Sequence, residues 1–179
     1  AGADGVVQIF NLADGKPART ITSHSDWVMA VAWNPDGTQI ASASRDKTAK
    51  VFDVETGELL VTYGGHSQPV QGVAFHPNNE LVYSSGKDNK IHWWKKTDGK
   101  KSGELALGGE VFKLQRSSEF IFTASADKSV RQLDAAAQKE VRKYAGHGDW
   151  ALSSAHHAAT KRVASGGFNG DIQIWNAED

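Results

Sequence analysis

The chain has 179 residues with twenty basic and twenty-one acidic side chains, a formal net charge of -1. Such a balance gives the whole surface no pull toward phosphate backbones or an anionic membrane, which argues against a nucleic-acid partner. The absence of cysteine excludes disulfides, thiolate metal sites and cysteine nucleophiles together and leaves the compartment undecided. No apolar run approaches the roughly 20 residues of a spanning helix, so membrane insertion is not expected, and no signal-peptide pattern opens the sequence.

In chain order, the first alternating stretch is VVQIF, Val6 to Phe10, preceded by Asp4. Strands are then expected over Val28 to Trp33, Gln39 to Ser44, Thr48 to Asp53 and Glu58 to Tyr63, designated a, b, c and d. The tetrapeptides NPDG (Asn34 to Gly37) and HPNN (His76 to Asn79), with ETG (Glu55 to Gly57) and TDG (Thr97 to Gly99), supply turn chemistry where hairpins need it. Further alternating stretches follow as KIHWW, SVRQL and DIQIW. Helical spacing is absent.

These stretches recur with a period. Asp4, Asp46, Asp88, Asp127 and Asn169 are separated by 42, 42, 39 and 42 residues. Six residues after each comes a large apolar side chain: Phe10, Phe52, Trp94, Leu133 and Trp175. Twenty residues after the first four come His24, His66, Gly108 and His147, and four residues before the last four come Ser42, Ser84, Thr123 and Ser165. A four-stranded antiparallel unit of this length, repeated, is the signature of a β-propeller blade at ~40 to 45 residues. The expected units are a tail at 1–22, full blades at 23–64, 65–107 and 108–145, and a blade lacking its last strand at 146–179.

The stretch GHSQPVQGVAFHPNNELVYSSGKDNKIHWW resembles a WD-repeat, with Gly65-His66 opening the blade and Trp94 near its end. The resemblance covers essentially the whole chain, although the Trp-Asp dipeptide never occurs intact and Gly108 replaces one histidine. It implies an all-β WD-repeat β-propeller with about four blades present, part of a ring of seven or eight completed by further sequence or a second chain. It also implies a structural hydrogen-bond network within each blade. The matching positions are His66, Ser84, Asp88 and Trp94, then His24, Ser42 and Asp46, then His147, Ser165, Asn169 and Trp175. Only the blade of Asp88 has all four groups. Phe52 has no donor for Ser42, and Gly108 with Leu133 should leave Thr123 and Asp127 short of partners.

A serine, a histidine and an aspartate in one unit also suggest a hydrolase triad. Ser84, however, falls within a strand and has no GxSxG elbow around it. The same trio recurs partly in neighbouring units, as architecture would and an active site would not, so no catalytic residue is assigned. His156-His157 cannot converge on one metal ion from adjacent strand positions, and no metal or cofactor is implied. The basic run KKTDGKK, Lys95 to Lys101, reads as a solvated c-to-d turn.

In a propeller the d-to-a loops and b-to-c turns open on one face. Trp27, Met29, Arg45, Lys87, Phe112, Lys128, Trp150 and Phe168 should therefore share a rim, and Trp, Met and Arg are types enriched at interface centres. The function expected is a non-catalytic protein-protein interaction scaffold. The alternative is an accessory propeller domain of a larger enzyme or electron-transfer assembly.

Overall fold

The computed structural model describes residues 1–178. Five antiparallel sheets follow one another along the chain. The first pairs β1 (Val6–Phe10) with β2 (Pro17–Thr22). The second contains β3 (Val28–Trp33), β4 (Gln39–Ser44), β5 (Ala49–Asp53) and β6 (Leu59–Tyr63). The third contains β7 (Val70–Phe75), β8 (Leu81–Gly86), β9 (Lys90–Lys95) and β10 (Lys101–Ala106). The fourth contains β11 (Val111–Ser117), β12 (Phe120–Ser125), β13 (Ser129–Asp134) and β14 (Lys139–Ala145), and the fifth β15 (Ala151–His157), β16 (Arg162–Gly167) and β17 (Ile172–Asn176). Every strand pairs with its neighbour in sequence, so each sheet is a meander. The five sheets form an open arc of propeller blades.

Strands c and d of the second sheet begin one residue later than expected, because Thr48 and Glu58 still belong to turns. The Thr48 amide donates to Asp46 Oδ1 at 3.0 Å and the Glu58 amide to Thr56 Oγ1 at 3.2 Å. The b-to-c turn itself is the same throughout. In each, the marker acid or amide accepts the amide two residues on, at Val6, Thr48, Lys90, Ser129 and Asp171. The intervening residue has positive φ: Gly5 at 77°, Lys47 at 69°, Asn89 at 63°, Lys128 at 67° and Gly170 at 88°. The recurrent Asp or Asn is thus an Asx turn that holds its successor in the left-handed region, whether or not that successor is glycine.

Neighbouring sheets pack face to face. Val7, Ile40 and Phe52 fill the space between the first and second sheets, and Ala49, Val51, Val73 and Trp94 that between the second and third. Ile91, Val111 and Leu133 lie between the third and fourth, and Val130, Tyr144 and Val163 between the fourth and fifth. Within strand c, the residues three and five places after the marker face the following sheet and the residue six places after it faces the preceding one. Alternation therefore buries both faces, and a single sheet could not do so alone. On the fifth sheet Ile172 and Ile174 are 76% and 62% exposed, whereas Val130, Ile91, Ala49 and Val7, at the position of Ile172, are buried.

Each strand a carries a register shift at its second residue, in β3, β7, β11 and β15. A bulge there re-aims one side chain at the end of the sheet, and in β3 and β11 that side chain is Met29 and Phe112.

Candidate functional site

The polar network is complete in the third sheet. The Trp94 indole donates to Ser84 Oγ at 3.1 Å, Ser84 Oγ lies 2.8 Å from His66 Nε2, and His66 Nδ1 lies 2.8 Å from Asp88 Oδ2. With the Nδ1 proton donated to Asp88, Nε2 accepts from the serine hydroxyl, so each group has one role. Ser84 and Trp94 have no exposed surface, and burial holds the His66 pKa below its ordinary value of 6.5 despite the adjacent carboxylate. A nucleophile sealed in this way cannot meet a substrate. The trio is a latch between strands.

His92, four residues after Asp88, joins this latch and was not anticipated. Its ring stacks on His66 with centroids 4.1 Å apart and planes 11° apart, and its Nδ1 lies 2.8 Å from the Tyr63 hydroxyl of the preceding sheet. Burial, followed by the charge His66 would carry, pushes its pKa down to about 4. His66, Asp88 and His92 each offer a ligand atom within 4.8 Å of the others. Stacked imidazoles direct their in-plane lone pairs parallel rather than toward one point, and both His66 nitrogens are engaged. This set suits a hydrogen-bonded latch better than an ion.

In the second sheet His24 Nδ1 lies 2.7 Å from Asp46 Oδ2 and Nε2 lies 2.6 Å from Ser42 Oγ, and Phe52 ends the chain of bonds. Burial works against the charge on Asp46, but hydrogen bonds from Thr48 and His24 outweigh it and hold the carboxyl at about 2. The residue four places on, Lys50, donates from Nζ to the Ser23 carbonyl oxygen at 2.5 Å.

The fourth sheet corrects one expectation. Asp127 does not lack partners where Gly108 stands in place of histidine, because Arg131 reaches back from β13. Its Nη1 is 3.1 Å from Asp127 Oδ1 and its Nη2 2.5 Å from Oδ2, while Nε donates to Glu140 at 2.8 Å. Burial opposes ionisation of Asp127, yet the Arg131 and Ser129 bonds bring its pKa down to about 2. Thr123, as expected, is buried with its hydroxyl unpartnered. The sequence carries one signal for these groups, a cation or histidine recurring four residues after the marker (Lys50, His92, Arg131), an even spacing that returns to the same face of a strand.

The fifth sheet corrects another. His147 Nε2 lies 2.5 Å from Ser165 Oγ, but its buried Nδ1 has no hydrogen bond. Asn169 turns instead to Asp171, donating at 2.6 Å. An amide is a weaker acceptor than a carboxylate, and Asp171 competes for it. Trp175 packs edge-on against His147 at 5.7 Å rather than donating to Ser165.

The expected rim residues lie at one end of the sheets. The backbone stitches each d-to-a loop to its b-to-c turn through Arg45 to Trp27, Lys87 to Pro69, Ala126 to Glu110 and Phe168 to Trp150. Two groups of side chains form there. Phe112, Trp150 and Phe168 make a continuous aromatic patch, with Trp150 5.8 Å from Phe112 and 5.6 Å from Phe168. Separately, the Arg45 guanidinium sits 4.6 Å over the Trp27 ring. Met29 and Phe112 line the upper mouth of the inner groove. Lys87 approaches Glu110 at 3.7 Å, and Lys128 Nζ donates to the Gly148 carbonyl at 2.8 Å. Trp27 and Trp150 are 47% and 45% exposed, unusually open for indoles.

A search of curated protein sequences returned no match. Among solved structures, one described as U3-55K superimposes with a TM-score of 0.88 at 22% identity, covering 99% of this chain and 56% of that one. At that identity the likeness is one of fold, and this chain spans little more than half of the other's length. The family model described as WD domain, G-beta repeat matches residues 15–53, 57–95 and 138–176. The interval between the second and third matches, 96–137, holds Gly108, Arg131 and Leu133, which replace the usual latch. Three matched repeats over most of the sequence, each blade built on the same turn, make this chain a member of the WD-repeat family.

Proposed function

We propose that the chain is a non-catalytic scaffold that docks a protein partner on its rim. WD-repeat propellers are commonly used for protein-protein interaction, and the observation that carries the reading to particular residues is the exposed aromatic patch of Phe112, Trp150 and Phe168. Indoles and arginine at the centre of an interface contribute a disproportionate share of binding energy. Met29, Arg45, Lys87 and Lys128 add a flexible thioether and cationic side chains elsewhere on the same rim, suited to a partner surface that carries apolar side chains beside acidic ones. Quantitative affinity capture with Trp27→Ala and Trp150→Ala tests this, since partners should be lost without a fall in melting temperature. Loss of both together would identify the indoles as packing residues.

We further infer that another sheet, from additional sequence or a second chain, covers the outward face of β15, β16 and β17. Ile172 and Ile174 support this, because their counterparts in other sheets are buried against a neighbour. A native mass spectrum containing only a 19.3 kDa species would contradict it.

A further inference from the structure

The latch of the fifth sheet stops one atom short. In the second and third sheets one oxygen of the marker acid, Oδ1 of Asp46 or Asp88, accepts the amide two residues on. The other, Oδ2, accepts from the histidine Nδ1 and from the amide after that histidine, at Ser25 and Ser67. In the fifth sheet Asn169 Oδ1 takes the first role, accepting the Asp171 amide at 3.3 Å, which leaves Nδ2, a donor, in the role of the second oxygen. His147 is 6% exposed and its Nδ1 has no partner. The two groups nevertheless come close: His147 Nδ1 and Asn169 Oδ1 lie 2.7 and 2.9 Å from the point where a Cβ on Gly167 would stand. However it is rotated, an amide has one acceptor atom for a turn that asks for two, and a carboxylate has both.

Buried polar atoms without partners are uncommon and call for an explanation, and here the chain holds the means to supply the missing acceptor. Asn169 is followed by Gly170, the sole Asn-Gly pair in the sequence. Both residues are exposed, Gly170 has a φ of 88°, and no atom lies within 4 Å of where its Cβ would be, so the turn is not crowded on that side. After losing its proton to solvent base, the Gly170 nitrogen attacks Asn169 Cγ; the new N–Cγ bond closes a cyclic imide, the Cγ–Nδ2 bond breaks, and Nδ2 leaves as ammonia with a proton from water. Water then opens the imide. Cleavage of the N–Cγ bond gives aspartate on an unaltered backbone, and cleavage of the original peptide bond gives the β-linked isomer. One water enters, one ammonia leaves, and nothing is oxidised. The Gly170 amide donates to the Gly167 carbonyl at 3.1 Å, so the turn must open for the attack, which makes the conversion slow. Repulsion by Asp171 opposes the product, but Asp171 is exposed and can turn to water, whereas His147 cannot.

We propose that Asn169-Gly170 is a self-modification site, at which deamidation to aspartate gives His147 Nδ1 its acceptor and completes the latch of the fifth sheet. The site does not depend on the scaffold reading, although Phe168 of the rim patch adjoins it. Peptide mapping of the full chain held in mildly alkaline buffer tests the chemistry: residue 169 should be the first asparagine to convert, with α-linked aspartate among its products. Gly170→Lys should keep residue 169 an amide over the same period, and the turn accommodates it, because Lys47 and Lys128 occupy that place in other sheets. Asn169→Asp tests the consequence. It should raise the melting temperature by a few degrees, bring the His147 Nδ1 proton into slow exchange in NMR spectra, and lose the gain in a His147→Gln background. Earlier conversion of another asparagine, equal conversion in Gly170→Lys, or the β-linked isomer as the only product would overturn the proposal. So would an Asn169→Asp protein that melts no higher than the parent, keeps its gain without His147, or leaves the Nδ1 proton in fast exchange.

Discussion

Arg131 holds both carboxylate oxygens of Asp127 from four residues along the chain, in the one complete sheet that has glycine where its neighbours have histidine. The latch has been rebuilt from a different donor around the same turn. Arg131→Met should destabilise the protein by about 3 kcal/mol, because it leaves a largely buried carboxylate without its counter-ion, held by Ser129. Adding Asp127→Asn should recover part of that loss, and urea unfolding of the two singles and the double measures the coupling. Additive effects would show that the pair is not a unit.

The same substitution has a pH signature. The Asp127 carboxyl is held at about 2 against an ordinary value of 3.8, so its contribution to stability is fully present above pH 3.8 and fades as pH falls toward 2. In Arg131→Met, urea midpoints should vary less steeply across that window than in the parent.

The hydroxyls at the Ser84 position form a graded series. Ser84→Ala orphans both the Trp94 indole and His66 Nε2 and should cost about 2 to 3 kcal/mol. Ser42→Ala orphans only His24 Nε2 and should cost about 1 to 2 kcal/mol. Thr123 already lacks a partner, so Thr123→Val should be neutral or stabilising. Equal losses at the three positions, read from denaturant midpoints, would contradict the network.

His66 and His92 make the third sheet acid-sensitive. Both pKa values are lowered in the folded protein, that of His92 to about 4. Between pH 6.5 and 4 the unfolded chain therefore binds more protons, so stability is full above pH 6.5 and declines as pH falls through that range. His92→Gln should flatten the decline when melting temperature is followed against pH.

Ile172 and Ile174 are 76% and 62% exposed, so a charge at either position breaks little packing. Ile172→Lys with Ile174→Lys should change stability of the isolated chain by no more than about 0.5 kcal/mol. The pair should nevertheless suppress any higher-mass species in native mass spectrometry, since it places two charges on the face a further sheet would cover.

Much of this fold was legible because a propeller repeats its polar markers. The offsets from Asp46 and Asp88 located strands, turns and the latch, and period-two alternation gave their faces. Rim placement followed from topology, since the loops before strand a and the b-to-c turns must share an end. Other features were hidden. The grip of Arg131 on Asp127 depends on a side chain long enough to replace a histidine from another loop, and a histidine twenty residues after the marker acid says nothing of it. Asn169 matched the marker in turn geometry but not in charge, so its failure to reach His147 emerged only from competition with Asp171. The stacking of His92 on His66 required knowing that Tyr63 from the neighbouring sheet closes over them.

The proposed division between polar latches that hold the sheets and rim aromatics that meet a partner is tested most directly by comparing His66→Ala with Trp150→Ser in the same two assays, melting temperature and quantitative retention of captured partners. The latch variant should melt several degrees lower. The rim variant should melt with the parent and retain far less partner. A Trp150→Ser protein that melts as low as His66→Ala, or one that retains its partners in full, would contradict that division.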